Sequence, residues 1–381
     1  MTIFKTGALI LSFAVALSLV LPQPAAALLG GLFKKNPAAS SQPRKFPIHD
    51  EESFRKNTTS FHLTPFNNPK LEFDILLPKD WEAVSLGQDT AAMLSHKILN
   101  EAARFKSPII DTAQAVVIVQ SMNLPDEISA ENWLKNHAFT NGYSLQEKIT
   151  PLGNKKAATA FISIFEGKST YTYATVHING NVAVMARFEI PLALKNLLGF
   201  LQKRAIDSFR LIITTDDSVE VQKTYLMGEA LKFSYPESWS FYQAETANPQ
   251  RLSMQIHNTT PAKKIEGIIH FMAVRRSAKT DLLQELEGLK TYCDDRLAIN
   301  IKKLLSSGPT AASGRFLFSR AETYQVAPKN NALAEQELRL VVLGDKNWYI
   351  FILLLTPTEA SNLYTWANNT QVLELILKSL K

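Results

Sequence analysis

Cysteine is almost missing. Cys293 is the one thiol among 381 residues, so no intrachain disulfide can form and a Cys-based zinc site is excluded. Histidine is sparse and never paired: His49, His62, His96, His137, His177, His257 and His270 stand singly, without H-x-x-x-H or H-x-H spacing. Local metal-ligand patterning is therefore lacking. No G-x-S-x-G, P-loop or G-x-G-x-x-G occurs, which removes local support for a nucleophile elbow or a phosphate cradle. Ser53-Phe-Arg-Lys56 fits S-x-x-K but has no companion motif and reads as chance. Nor is there a concentrated charge. The formal +6 is spread over distant pairs such as Lys155-Lys156, Lys263-Lys264, Arg275-Arg276 and Lys302-Lys303. A nucleic-acid binder gathers its basic residues into a stripe, so that partner is not expected. A weak attraction to anionic membrane surfaces stays open through long-range electrostatics. No catalytic residue, cofactor or metal is assigned.

What is present is the composition of a globular protein, 46% apolar and 20% charged. A domain of about 150 residues buries roughly 68–70% of its unfolded surface and needs no covalent staples. The chain has room for two or three such domains.

The first 27 residues carry an address. Lys5 supplies a positive start, an uncharged apolar run extends from Ala8 to Leu21, and Pro22-Gln23-Pro24 breaks it before Ala25-Ala26-Ala27. That order is a secretory signal peptide over residues 1–27, cleaved before Leu28. The run is shorter than the about 20 residues of a membrane span. The alternative is an uncleaved anchor, because Leu28-Leu29-Gly30-Gly31-Leu32-Phe33 is apolar again and ends at Lys34-Lys35. No lipid-modifiable cysteine follows the apolar run and no twin-arginine pair precedes it. The expected location is extracytoplasmic, periplasmic or secreted. Residues 28–66 read as a tether. Pro37, Pro43, Pro47 and Pro65 with Ser40, Ser41, Asn57 and Thr58 offer no helical or strand period, and Phe33, Phe46, Phe54 and Phe61 look like loose aromatics.

Beyond the tether the sequence repeats itself. Leu71-Glu-Phe73-Asp-Ile75-Leu-Leu-Pro78-Lys-Asp-Trp81 matches Leu231-Lys-Phe233-Ser-Tyr235-Pro236-Glu-Ser-Trp239. Each is an alternating strand stopped by a proline, which has no N–H to donate, with a tryptophan three positions later. Downstream, strands at 114–120 and 267–274 precede helices at 130–139, after Ser129, and at 281–305, after Thr280. Strands follow at 157–165 and 315–324, then at 171–178 and 338–343. Turn signals Asn179-Gly180 and Gly344-Asp345 lead into last strands at 182–190 and 348–355. Pro191 and Pro357 end these, and amphipathic helices follow at 192–209 and 359–380. Elements in one order, spaced by roughly 150 to 165 residues, argue for duplication. The expected class is α+β: two repeated domains, residues 67–217 and 218–381, each an antiparallel sheet packed with helices.

The opening strand with P-x-x-W and the order of elements resemble the PsbP-like α/β sandwich, shared by photosystem accessory proteins, a eukaryotic Ran-binding family and exported bacterial proteins of the DcrB type. The resemblance covers about 300 residues as two modules. It implies an accessory or binding subunit without catalysis, and it carries no set of functional residues.

Candidate sites have competing readings. Leu282, Leu286, Leu289, Cys293, Leu297, Ile301 and Leu304 form one stripe of the helix expected at 281–305, so the thiol reads as a small core hydrophobe. Glu285, Glu287, Asp294 and Asp295 flank that stripe as a solvated face. Trp81 and Trp239 are either lids on their cores or walls of a pocket at the sheet end. The strand at 182–190 has one apolar face and one bearing Arg187 and Glu189, open to water, whereas that at 348–355 is apolar on both. Something must cover the second sheet's far side: its own two helices, the first repeat or a partner. Only residues 214–224 join the copies, so they are expected to touch and to form a cleft. The functional expectation is a non-catalytic binding or assembly protein of the cell envelope with a protein partner. The alternatives are a carrier of a small apolar ligand in that cleft and, last, a hydrolase with a dispersed Ser/His/Asp site.

Overall fold

The computed structural model describes residues 47–86, 98–110, 113–165, 167–243, 248–310, 315–329 and 335–381. The signal-peptide segment and the tether as far as residue 46 lie outside them, as does His96.

The first half runs α1 (Glu51–Asn57), β1 (Thr58–Leu63), β2 (Phe73–Pro78), β3 (Glu82–Val84), β4 (Asn100–Lys106), β5 (Val116–Asn123), α2 (Ala130–Thr140), β6 (Ser144–Leu145), β7 (Thr150–Pro151), β8 (Lys156–Phe165), β9 (Lys168–Asn179), β10 (Val182–Pro191), α3 (Lys195–Ser208) and β11 (Arg210–Leu211). The second runs β12 (Gln222–Met227), β13 (Leu231–Pro236), β14 (Ser240–Gln243), β15 (Arg251–Thr259), β16 (Ile265–Arg275), α4 (Leu282–Asp295), β17 (Ile299–Gly308), β18 (Phe318–Pro328), β19 (Gln336–Gly344), β20 (Trp348–Pro357) and α5 (Leu363–Ser379). The class is α+β. Among the described residues no helix is long and apolar enough to cross a membrane.

Two large sheets dominate. The first is ordered β3-β4-β5-β10-β9-β8-β6, with β7 also on β8, and the second β14-β15-β16-β20-β19-β18-β17. Read in chain order the two sequences of strands are the same. Each sheet faces a small antiparallel ribbon, β1-β2-β11 or β12-β13. The proline stops make the same turn: the N–H of Trp81 donates to the carbonyl of Pro78, and that of Trp239 to Pro236, each at 3.1 Å. Both indoles are buried in the core between ribbon and sheet, Trp81 lying edge-on to Phe188 of β10 at 5.1 Å.

Both sheets are covered on both faces. In the first, α3 packs with Phe73, Ile75, Phe105 and Phe188 on one side, while α2 covers Ala174, Val176, Ala183 and Met185 on the other. In the second, α5 closes over Phe233, Phe271, Ile350 and Ile352, and α4 lays Leu289 and Cys293 on Leu340, Val342 and Leu353. The doubly apolar β20 is thus covered by the second half's own helices. The expected wet face of β10 is corrected. Ala183 and Met185 are fully buried, and Arg187 pairs with Glu189 at 3.2 Å with both side chains mostly covered. Apolar residues under α2, rather than the two charges, decide that face.

Two further expectations are overturned. The helix expected over 281–305 ends at Asp295, Ala298 takes a positive φ of 52°, and the chain turns into β17. Two acids in the last helical turn oppose the helix dipole, and pairing with β18 offers the following residues a full ladder. The cap is Asp281, whose carboxylate accepts from the N–H of Leu283, not Thr280. The tether reading fails over 51–63. Asp50 and Ser53 form a reciprocal capping box, Phe54 is buried, and β1 pairs along β2 from Thr58↔Pro78 to Leu63↔Phe73. The S-x-x-K serine is therefore the N3 member of the capping box, with Asp50 as the cap.

Truncating Phe54 to Ala should lower stability by about 3 kcal/mol, read as a drop in thermal midpoint; a free tether would leave the midpoint unchanged.

Candidate binding groove between the two halves

The loop after β5 and the helix that follows it carry the junction. Ser129 caps α2 by accepting from the N–H of Asn132 at 3.2 Å. The helix buries Ala130, Trp133, Leu134 and Ala138 on the first sheet. His137 stacks on Trp133 with ring centroids 5.3 Å apart and meets the edge of Tyr143 at 5.7 Å. Burial, with a smaller repulsion from Arg187, pushes the His137 pKa down to about 4.

Helix α5 reaches across to this surface. Ala367 is buried within the first half's outer core, beside Tyr364 and Trp366. The Tyr364 hydroxyl donates to Asp126 at 2.8 Å, and Lys135 on α2 pairs with Glu359 just ahead of α5. Asn368 donates to the carbonyl of Glu127 at 3.0 Å. The Glu127 carboxylate itself accepts from the N–H of Glu220 at 3.1 Å and from Gln222 at 3.3 Å. Glu127 is only 4% exposed, and burial raises its pKa, as it does that of Glu220. Burial likewise raises the Tyr364 hydroxyl, so it stays a donor to Asp126.

Two cavities flank this contact. One of about 500 Å³ is walled by Leu99, Met122, Leu124, Trp133, His137 and Tyr364. The other, about 580 Å³, is walled by Phe139, Leu363, Lys135 and Glu359. They share Asn136, Thr140 and Tyr364, so they form one groove along α2 with an aromatic floor and polar ends. Its rim is open, since Phe139 is 75% exposed. A third, more polar cavity of about 350 Å³ lies between Glu127, Lys155, Gln371 and Lys378. Cavities lie where residues of the two halves meet, and of the groove's walls only His137 was among the residues singled out from the sequence.

Trp81 and Trp239, the named candidates for a pocket wall, are 6% and 3% exposed within their cores and do not line the groove. Cys293 is buried under α4, with its thiol pKa pushed up to about 11 by burial. Glu285 and Glu287 pair with Arg251 and Lys290, and Asp294 with Lys329. A polar chain that periodicity could not reveal runs beneath α4. Ser253 Oγ lies 3.4 Å from His270 Nε2, His270 Nδ1 lies 3.3 Å from the Tyr292 hydroxyl, and Gln255 donates to that hydroxyl at 2.9 Å. It has no carboxylate and His270 is 2% exposed, so the arrangement braces α4 against the sheet. Among the described residues no group of His, Cys, Asp and Glu is placed to hold a metal.

Neither a family model nor a curated protein sequence matches the chain. Among solved structures it is similar to the solution structure of cyanobacterial PsbP (CyanoP) from Synechocystis sp. PCC 6803, at 12% identity, over 41% of this chain and 92% of that one. The TM-score is 0.24, too low to establish a shared fold.

Burial holds His137 and His270 at about 4 and His177 at about 3. Below the ordinary value near 6.5 the unfolded chain takes up protons that the folded chain refuses. Stability should therefore fall as pH drops from about 6.5 to about 4, by up to about 1.4 kcal/mol per unit for each histidine. The raised carboxyls of Glu127 and Glu220 act with the opposite sign. Urea midpoints between pH 7 and 5 should decline, and less steeply in His137→Gln. A flat profile would contradict the burial of these rings.

Proposed function

We propose that the chain is an extracytoplasmic, non-catalytic binding or assembly subunit of the cell envelope, built from two PsbP-like modules over residues 67–217 and 218–381. The observation that carries the reading is the common strand order of the two sheets around the same Pro-x-x-Trp turn. Duplication followed by divergence accounts for that order, for the placing of α2 and α4 after the third strand, and for α3 and α5 after the last. Recruiting two modules into one body leaves a groove between them that neither has alone.

The groove along α2 is the surface assigned to a protein partner. Its open rim and exposed Phe139 suit an inserted side chain, and the ionic Lys135–Glu359 end suits a polar rim. A second reading, a carrier of a small apolar molecule, is favoured by the aromatic wall formed by Trp133, His137 and Tyr364. The open rim weighs against it, because a carrier encloses most of its ligand.

Three measurements separate these readings. Expressed with its full N-terminus in a bacterium, the mature chain should begin at Leu28; an intact Met1 on the exported protein would contradict the cleaved signal. Cross-linking in the native envelope should give one defined hetero-complex that Phe139→Glu abolishes without lowering the thermal midpoint. A consistent monomer would remove the assembly reading, and bound mass in native mass spectrometry of that monomer would install the carrier.

A further inference from the structure

The four outer edges of the two large sheets are unequal. In the first sheet they are β3, of three residues, and the two-residue pieces β6 and β7. In the second, β14 has four residues, but β17 has ten. The strand that occupies the place of β6 has thus become long, and among the described residues nothing pairs with its outer side. Such a row of unpaired N–H and C=O groups is a template for another strand.

The side chains along it are as telling. Every residue from Lys302 to Ser307 is exposed, so this stretch of the ribbon stands clear of covering layers on both faces. Leu304 and Leu305 are 45% and 52% exposed. Lys302 and Lys303 are exposed and take part in none of the ion pairs among the described residues. On the neighbouring strand, Arg320 pairs with Glu322 at 2.5 Å and donates to Ser307 at 3.2 Å, so its charge is already met. The net unmatched charge of the edge is positive.

A protective reading exists. Lysines and bulges are how sheets guard an edge against aggregation, and β17 has register shifts between Ile301 and Lys303 and between Leu304 and Ser306. A guarded edge, however, has no use for two adjacent leucines in water, which add an attractive apolar contact in the middle of the strand. Lysines flanking exposed leucines on an open edge match an incoming strand that alternates apolar and acidic side chains. Backbone pairing would supply affinity, and the leucines and lysines would supply selection.

We propose that β17 is a second docking site, which receives an extended acidic segment of a partner protein by strand addition. The inference extends the assembly reading and rests on it only for the existence of a partner. Its failure is distinguishable: a partner confined to the groove would leave β17 uncovered, and a chain without a native partner would still bind probe strands.

The test uses the full chain and two labelled ten-residue peptides, alternating Val with Glu or Val with Lys. The Glu peptide should bind about tenfold more tightly at low ionic strength, and added salt should weaken it. Hydrogen exchange of the wild-type chain with that peptide should show new protection confined to amides 302–307. The double variant Lys302→Glu/Lys303→Glu should reverse the peptide preference, and Leu304→Ser/Leu305→Ser should weaken both. Binding of neither peptide, equal binding of both, or protection elsewhere would overturn the proposal. So would a dimer of the chain that dissociates in the lysine variant, since the occupant would then be a second copy. The exchange footprint needs no variant, so a substitution that impairs folding does not rescue the idea.

Discussion

One helix belongs to two cores, and the shape of the molecule depends on it. From Thr365 to Asn369, α5 is buried at every position but Trp366, which is half-buried. A helix covering a single sheet buries one stripe and leaves the rest to solvent. Its C-terminal turns do that, placing Val372, Leu373, Ile376 and Leu377 in the second half's inner core. Its N-terminal turns instead pass between the halves, with Ala367 in the first half's outer core. The first half's closing helix, α3, has no aromatic anchors at its start to match Tyr364 and Trp366. The two halves are therefore joined by the side chains of one helix more than by the short linker.

That crossing must satisfy polar groups as well as apolar ones, because an unpaired buried group costs about 1–3 kcal/mol. Asn369 is fully buried, and its amide donates to the Glu266 carbonyl at 2.9 Å and to Thr356 at 3.0 Å while its oxygen accepts from Asn258 at 2.8 Å. This requires glycine at 267, where a Cβ would lie 2.4 Å from the Asn369 amide. Asn368 donates to the Glu127 carbonyl of the first half while its oxygen accepts from Asn258 at 3.1 Å. Two adjacent asparagines thus fix α5 to both halves. Hydrogen bonds of this kind specify orientation where apolar contact alone would permit sliding.

Five strands in each half and the helices after them were legible in the sequence because they follow from local chemistry, alternation, proline stops and the Ser129 cap, whereas β4 and β15 of the large sheets were not read. Cys293 was legible as core for the same reason, since the stripe of Leu282, Leu286 and Leu289 is real over the first turns. Its extension through Leu297, Ile301 and Leu304 misled, because a 3.6-residue period and a strand of scattered leucines can coincide over seven residues. Only the ladder with β18 decides between them, and that contact is long-range. Phe54 and Phe61 looked idle because the core they enter is built from β2 and β4, more distant in the chain; Phe61 meets Phe105 at 5.2 Å. The groove was hidden more deeply. Tyr364 and Trp133 read as ordinary amphipathic-helix residues, and nothing in either helix states that they meet.

The two outer faces show what the shared helix changes. On the first sheet α2 is pressed between the sheet and α5, and Trp133, Leu134 and Ala138 are all buried. On the second sheet α4 occupies the corresponding place with no further layer, so that of its residues only Leu289 and Cys293 are buried while Leu283 is 71% exposed. The same asymmetry reaches the edges. The connection from α2 into β8 is held close to the body by β6 and β7, whereas that from α4 continues into the long, exposed β17. The difference between the halves therefore follows a physical logic. Where one half is the receiver of α5, its helix buries more of its side chains and its edge strands are short. Where the other is the donor, its helix and its long edge β17 remain open, so the second half offers a further exposed surface beside the groove along α2.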